Sequence, residues 1–200
     1  SVYGFSSTGT MNRLINYSHD GITRDRQSIT GDFNGDGKFD FAIPDAFESD
    51  EWNFYLSTGK TFNHQLTDIN IDYKRNTSPE LQHSYYGQDF NGDGRTDILY
   101  HYVRFETHGS NPYRPGFIKV HYNMFSNNVA KFNSNGNSQT TNRYSDLGFP
   151  VLAETEPGNR NLEFYYLSGN KAHGYEFGSD NRDDMLMKQI DNNGLVSKLT

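Results

Sequence analysis

Short apolar and aromatic runs alternate with polar stretches rich in Asn, Ser, Gly and Thr along this chain of 200 residues. The run Ile98-Leu99-Tyr100-His101-Tyr102-Val103 is β-branched and aromatic and apolar on both faces, which predicts a buried strand. Phe41-Ala42-Ile43-Pro44 predicts a shorter strand that Pro44 truncates. Phe54-Tyr55-Leu56-Ser57-Thr58-Gly59-Lys60-Thr61-Phe62 has the pattern strand, tight turn, strand, and the segments from Phe5 to Thr10 and from Phe164 to Lys171 echo it. Ile118 to Phe125 holds the equivalent place later in the chain, and 126–141, rich in Asn, Ser, Gly and Thr, predicts loops or hairpin tips. The expected fold class is all-β.

Ahead of two of these strands lie matching nine-residue segments. Asp32-Phe33-Asn34-Gly35-Asp36-Gly37-Lys38-Phe39-Asp40 and Asp89-Phe90-Asn91-Gly92-Asp93-Gly94-Arg95-Thr96-Asp97 agree at seven positions and begin 57 residues apart. Asn-Gly and Asp-Gly pairs make surface turns without any ligand. Two copies this similar point further, to a hard cation. Calcium takes six to eight oxygen ligands from carboxylates, amides, backbone carbonyls and water. Loop positions 1, 3, 5 and 9 offer Asp32, Asn34, Asp36 and Asp40, with the carbonyl of Lys38 at position 7. The second copy offers Asp89, Asn91, Asp93 and Asp97, with the carbonyl of Arg95. Gly37 and Gly94 fall at position 6, where a loop wrapping an ion needs backbone angles that a side chain resists. Two calcium ions are therefore expected. The loops differ from EF-hands, whose position 12 is a bidentate Glu. Here that position holds Ile43 and Tyr100, and a strand rather than a helix follows.

A period near 57 with several short strands per unit is the pattern of a β-propeller or a related array. The expectation is one domain over 1–200, with clear repeats around 29–62 and 86–125. A degenerate third repeat is expected around 144–171, where Asp146 lies a further 57 residues on.

The pattern D-x-N-x-D-G-x-x-D followed by an apolar strand resembles the FG-GAP/VCBS repeats of integrin α-subunit propellers and of many bacterial secreted proteins. A narrower likeness rests on that pattern, on Tyr55-Leu56-Ser57-Thr58-Gly59, and on the segment from Met185 to Leu195 containing Ile190-Asp191-Asn192-Asn193-Gly194-Leu195. Together these are similar to the propeller region of SpvB/TcaC-type toxin-complex proteins, although an extra Asn interrupts the closing segment and no YD repeats follow. The resemblance implies a propeller or partial propeller and a binding or scaffolding role in a secreted or surface bacterial protein, and the narrower likeness implies a toxin-associated one.

Composition narrows the alternatives. Hydrophobic residues make up only 33%, but fourteen Tyr, fifteen Phe and one Trp supply buried area suited to strands. There is no cysteine, which excludes a disulfide scaffold, a thiolate metal site and a Cys nucleophile. The net charge of −7 has no basic stripe to set against it, so a nucleic-acid partner is not expected. No run approaches the roughly 20 apolar residues that span a membrane. No signal peptide is read in the sequence, and Ser1 looks like either a cleaved or an arbitrarily set start, so export is not read from it directly. Extracellular calcium would fill modules of this kind, which bind at roughly 10⁻⁴–10⁻³ M, so an extracellular or secreted location is expected.

Catalytic patterns are missing from the sequence: there is no G-x-S-x-G elbow, no phosphate loop and no His cluster, and the chain is not expected to be an enzyme. His19, His64, His83, His101, His108, His121 and His173 are scattered, and His101 and His121 fit strand interiors. The partner is expected to be a protein or a glycan. For a calcium-dependent lectin, Trp52 among Asp50, Glu51 and Asn53 is the first candidate stacking platform. Tyr113, in the stiff turn from Asn111 to Gly116, is the second.

Overall fold

The computed structural model of the chain describes residues 2–15, 25–76, 81–104, 116–133, 138–141, 151–153, 163–168, 171–176, 188–190 and 196–198. The described residues are all-β, and every strand pairing is antiparallel. The chain divides into two compact units, residues 1–88 with 94–144, and residues 89–93 with 145–200.

The first unit holds a hairpin of β1 (Val2–Phe5) and β2 (Met11–Ile15) and two four-stranded sheets. One sheet runs β3 (Ile29–Gly31), β4 (Asp40–Pro44), β5 (Glu51–Ser57) and β6 (Phe62–Asp68), each strand beside the next. The other repeats that meander with β7 (Leu81–Gln88), β8 (Asp97–Arg104), β9 (Gly116–His121) and β10 (Ser138–Thr141). The second unit contains a three-stranded meander of β11 (Val151–Ala153), β12 (Glu163–Ser168) and β13 (Lys171–Glu176), and a hairpin of β14 (Lys188–Ile190) and β15 (Val196–Lys198).

The three strand–turn–strand segments read from the sequence are the β1–β2, β5–β6 and β12–β13 hairpins. In the second of these Thr58 N–H closes the turn on the carbonyl of Thr61 at 2.9 Å. Two expectations change. The polar stretch 126–141 is not all loop, because Ser138–Thr141 pairs with β9. The segment from Ile118 to Phe125 does not form a strand, tight turn and strand within itself: β9 ends at His121, and Asn123 bonds the carbonyls of Phe33 and Thr96. Asp146 and the rest of 142–150 lie outside the described residues.

β5 shows why these residues make a sheet centre. Trp52 to Leu56 are all buried, so alternation sends Trp52, Phe54 and Leu56 to one side and Tyr55 to the other. The first set joins a core with Ile29, Phe33, Ala42, Ile69, Ile71, Tyr73, Tyr85, Ile98 and Phe132. Tyr55 stacks on Phe41 at 4.5 Å and packs with Ile43 and Phe62. Edge-to-face contacts dominate the larger core, as ring quadrupoles favour: Phe33 meets Phe54 at 5.2 Å, and Trp52 meets Tyr85 at 5.7 Å.

β3 and β7 bring the two sheets together through glycines. A Cβ on Gly31 would lie 2.1 Å from Thr96 Oγ1, and one on Gly87 would lie 2.5 Å from Ile29 Cγ2. The connection from β6 to β7 is pinned across the same seam. The Tyr85 hydroxyl donates to the carbonyl of Asp72 at 2.8 Å and accepts from Lys74 N–H at 2.9 Å.

Candidate metal centre

Each repeated nine-residue segment begins as the first strand of its sheet ends. Gly31 pairs with Asp40 and Gln88 with Asp97, so 32–39 and 89–96 are the hairpin loops between first and second strands. Position 9 of each segment is thus the first residue of β4 or β8.

The first loop folds on its own side chains. Asp32 Oδ1 accepts Gly35 N–H at 2.7 Å and Asp36 N–H at 3.1 Å, while its Oδ2 accepts Gly37 N–H at 2.6 Å. Asn34 Oδ1 accepts Asp36 N–H at 3.1 Å, and Asp36 Oδ1 accepts Lys38 N–H at 3.0 Å. These are successive Asx turns from positions 1, 3 and 5. Gly37 takes φ +77°, as position 6 requires, and Gly35 at position 4 takes φ +75°.

Lys38 turns its ammonium back to Asp36 Oδ2 at 2.7 Å, and this bond holds the Asp36 carboxyl below its ordinary range. Asp40 is fully buried. Its Oδ2 accepts Phe33 N–H at 3.0 Å and its Oδ1 accepts Ser57 N–H at 2.7 Å, which ties the loop to the end of β5. Burial pushes its carboxyl pKa up, and the neighbouring charges of Asp32 and Asp36 push it further.

In the second loop, Asp89, Asn91 and Asp93 fall in the second unit and Arg95 and Asp97 in the first. The turns from positions 1 and 3 recur. Asp89 Oδ1 accepts Gly92 N–H at 2.8 Å and Asp93 N–H at 3.2 Å, and Asn91 Oδ1 accepts Asp93 N–H at 3.2 Å. Gly92 and Gly94 take φ +71° and +83°. Asp97 is fully buried like Asp40, and its Oδ1 accepts Asn123 N–H at 2.7 Å, as Asp40 accepts Ser57.

The donors of both segments are oxygens only, which suits a hard cation and no thiophilic one. In the first loop the mutual repulsion at Asp40 places three carboxylates within each other's field. Among the described residues, however, no group of three or more His, Cys, Asp or Glu side chains is arranged to hold a metal ion. The carboxylates are turned onto N–H groups and Lys38.

Three residues outside the expected oxygen ligands complete the centre. Phe33 and its counterpart Phe90 are buried, so position 2 anchors each loop by its ring. Asn123 is 2% exposed and uses its whole amide: Nδ2 donates to the carbonyls of Phe33 at 2.8 Å and Thr96 at 3.0 Å, and Oδ1 accepts Phe125 N–H at 2.8 Å. No local sequence signal marks Asn123, which lies two residues past the end of β9.

The proposed stacking platform at Trp52 is corrected. Trp52 is 0% exposed, its indole N–H donates to the carbonyl of Ile71 at 2.8 Å, and its ring meets Tyr73 and Tyr85. Its polar neighbours Asp50 and Glu51 mark the start of β5, and alternation sends Trp52 itself to the core. Tyr113 lies outside the described residues. A pocket of about 320 Å³, lined by Ile69, Ala130 and Phe132 with Asp68, Asn70 and Lys131 among others, shares no residue with the loops.

His101 and His121 are interior groups, whereas His64 is exposed and His83 half-buried. Burial holds His101 and His121 down at about 4, and His121 Nδ1 sits 3.2 Å from the carbonyl of Asn133, so that nitrogen carries the proton. His64 Nε2 lies 2.7 Å from Asn53 Oδ1, and His83 Nδ1 lies 2.7 Å from the Tyr100 hydroxyl. His19 and His108 lie outside the described residues, and for His173 only the backbone is described. Among the described residues no helix is long and apolar enough to cross a membrane. Comparison of the chain with protein-family models, with curated proteins and with solved structures finds no match.

Proposed function

We propose that this chain is a calcium-stabilised, non-catalytic scaffolding or binding segment, built from FG-GAP/VCBS-like repeats that act as propeller blades in a secreted or surface bacterial protein. One observation carries the reading. The same oxygen-rich loop, with the same Asx turns, the same two left-handed glycines and the same buried Asp at position 9, recurs between the first two strands of two like sheets. A turn needs no such duplication of four oxygen-bearing side chains.

Asp32, Asn34, Asp36 and Asp40 with the Lys38 carbonyl would hold one ion. Asp89, Asn91, Asp93 and Asp97 with the Arg95 carbonyl would hold the other. Calcium would supply positive charge where like charges crowd, above all at Asp40, whose carboxyl is raised by burial and by two neighbouring carboxylates. Lys38 performs part of that service for Asp36 through its 2.7 Å ion pair. A toxin-associated setting follows from the narrower likeness alone. The carbohydrate alternative has no candidate among the described residues once Trp52 is in the core.

The test is a thermal melt in calcium, in magnesium and in EGTA, with the stoichiometry taken by titration. Two ions per chain and a calcium-selective rise in midpoint are expected. Saturation about 100-fold above Kd adds roughly 2.7 kcal/mol per site. Asp36→Ala and Asp93→Ala should each remove one ion. A chain that binds no calcium, or variants that keep both ions, would refute the assignment.

A further inference from the structure

Within the first unit, residues 95–97 of the second segment are bonded to the first loop. Thr96, at position 8 of the second segment, bonds both backbone groups of Asp32, at position 1 of the first. Thr96 N–H donates to the Asp32 carbonyl at 2.7 Å, and Thr96 Oγ1 accepts Asp32 N–H at 2.8 Å. Asn123 closes a second bridge. Its Nδ2 spans the Phe33 carbonyl of the first loop and the Thr96 carbonyl of the second, while its own N–H holds Asp97. Arg95 lies over the first loop, where a Cβ on Gly35 would stand 3.2 Å from Arg95 Cγ.

We propose that Thr96 and Asn123 make the two loops one coupled element, so that ordering or cation binding at one loop favours the same at the other. The cation part rests on the calcium reading above; the bridge itself rests on the hydrogen bonds alone. Asp32 is the hub of the first loop, because its carboxylate accepts three of that loop's N–H groups. Its backbone is fixed from the second segment. Anything that shifts residues 95–97 therefore shifts the frame on which the first loop folds. Binding free energy shared between two sites must be reciprocal, so the effect of the second loop on the first equals that of the first on the second.

Two arms test this on the full chain. In EGTA, amide exchange is followed at Phe33 and Ser57, whose N–H groups report on Asp40 and touch neither Thr96 nor Asn123 through those N–H groups. Thr96→Val removes the hydroxyl acceptor with little change of shape and should speed both amides about tenfold or more. Thr96→Ser keeps the acceptor and should leave them near wild type. Unchanged exchange in Thr96→Val would overturn the coupling whatever the metal does. In the second arm calcium alone is titrated. Asp93→Ala should weaken calcium at the first loop by roughly fivefold or more, and in a Thr96→Val background that dependence should fall below about twofold. Two ions bound with a first-loop affinity indifferent to Asp93→Ala would overturn the coupling and leave the calcium reading intact. No calcium bound to the wild-type chain would overturn the calcium reading and the cation part of the coupling with it.

Discussion

Gly31→Ala adds one methyl group at the closest approach of the two sheets. Gly31 pairs with Asp40 in an ordinary strand register, so alanine brings no backbone strain of its own. The cost is contact. The new Cβ would lie 2.1 Å from Thr96 Oγ1, 2.6 Å from its Cγ2 and 2.7 Å from its Cβ. A rotamer change can move the first two atoms but not the third, so β3 and residue 96 must separate. Overpacking of this kind costs about 1–3 kcal/mol. The separation also strains the 2.8 Å bond from Asp32 N–H to Thr96 Oγ1, whose net worth is about 1 kcal/mol. The expected loss is therefore roughly 2–4 kcal/mol. Urea unfolding followed by the fluorescence of Trp52, the chain's single tryptophan, measures it in the unit that holds the seam. A fall in midpoint at constant slope is the signature of lost stability. Thr96→Gly removes all three clashing atoms, so in that background Gly31→Ala should cost less than about 1 kcal/mol by the same bookkeeping. A Gly31→Ala protein within about 0.5 kcal/mol of wild type, or an equal penalty in both backgrounds, would refute the packing argument.

Three further outcomes are expected. His101 and His121 are held at about 4 against 6.5 in the unfolded chain, so the folded state refuses protons that the unfolded state binds; stability is full above about pH 6.5 and falls as pH drops toward 4. Between about pH 7 and pH 5 the two together should remove on the order of 3 kcal/mol, and a double His101→Gln, His121→Gln variant should lose most of that dependence in denaturant titrations. The fluorescence of Trp52 should be blue-shifted and closed to iodide quenching until unfolding, because its ring is fully covered; open quenching in the native protein would refute its core placement. Phe33→Ala should cost about 3–5 kcal/mol and, by releasing the loop's anchor in the core, should weaken calcium at the first segment more than Phe90→Ala does, as titration would reveal.

Much of the local structure was legible because it is written in adjacent residues. The hairpins follow from aromatic runs broken by Ser-Thr-Gly or Ser-Gly, and the loops follow from Asn-Gly and Asp-Gly pairs at fixed spacing. What escaped depends on partners far along the chain. Asn123 meets the Phe33 carbonyl across 90 residues, and no local pattern marks an asparagine for that task. Trp52 misleads because hydrophilic neighbours describe the strand's entrance rather than the face to which alternation assigns the ring. Ser138–Thr141 carries no apolar signal, and among the described strands it lies at the end of its sheet, paired with β9.

The two segments also show how a repeat divides its labour. The seven positions on which they agree are the ones whose side chains or backbone angles build the loop itself. The two on which they differ are 7 and 8. In the second segment those residues face the neighbouring sheet: Arg95 lies over Gly35, and Thr96, 7% exposed, locks onto Gly31 and Asp32. In the first, Lys38 folds back on its own Asp36, and Phe39 is 61% exposed. Sequence identity between the copies thus tracks the chemistry that each loop performs alone. Their divergence tracks what each one touches. Positions 7 and 8 of the second segment are where substitutions should alter the seam between sheets while keeping every oxygen-bearing side chain of the loops. Exchanging Thr96 for the Phe of the first copy would place a large ring where Gly31 leaves room for almost nothing, and it should open the seam without removing one oxygen of the proposed cation shell.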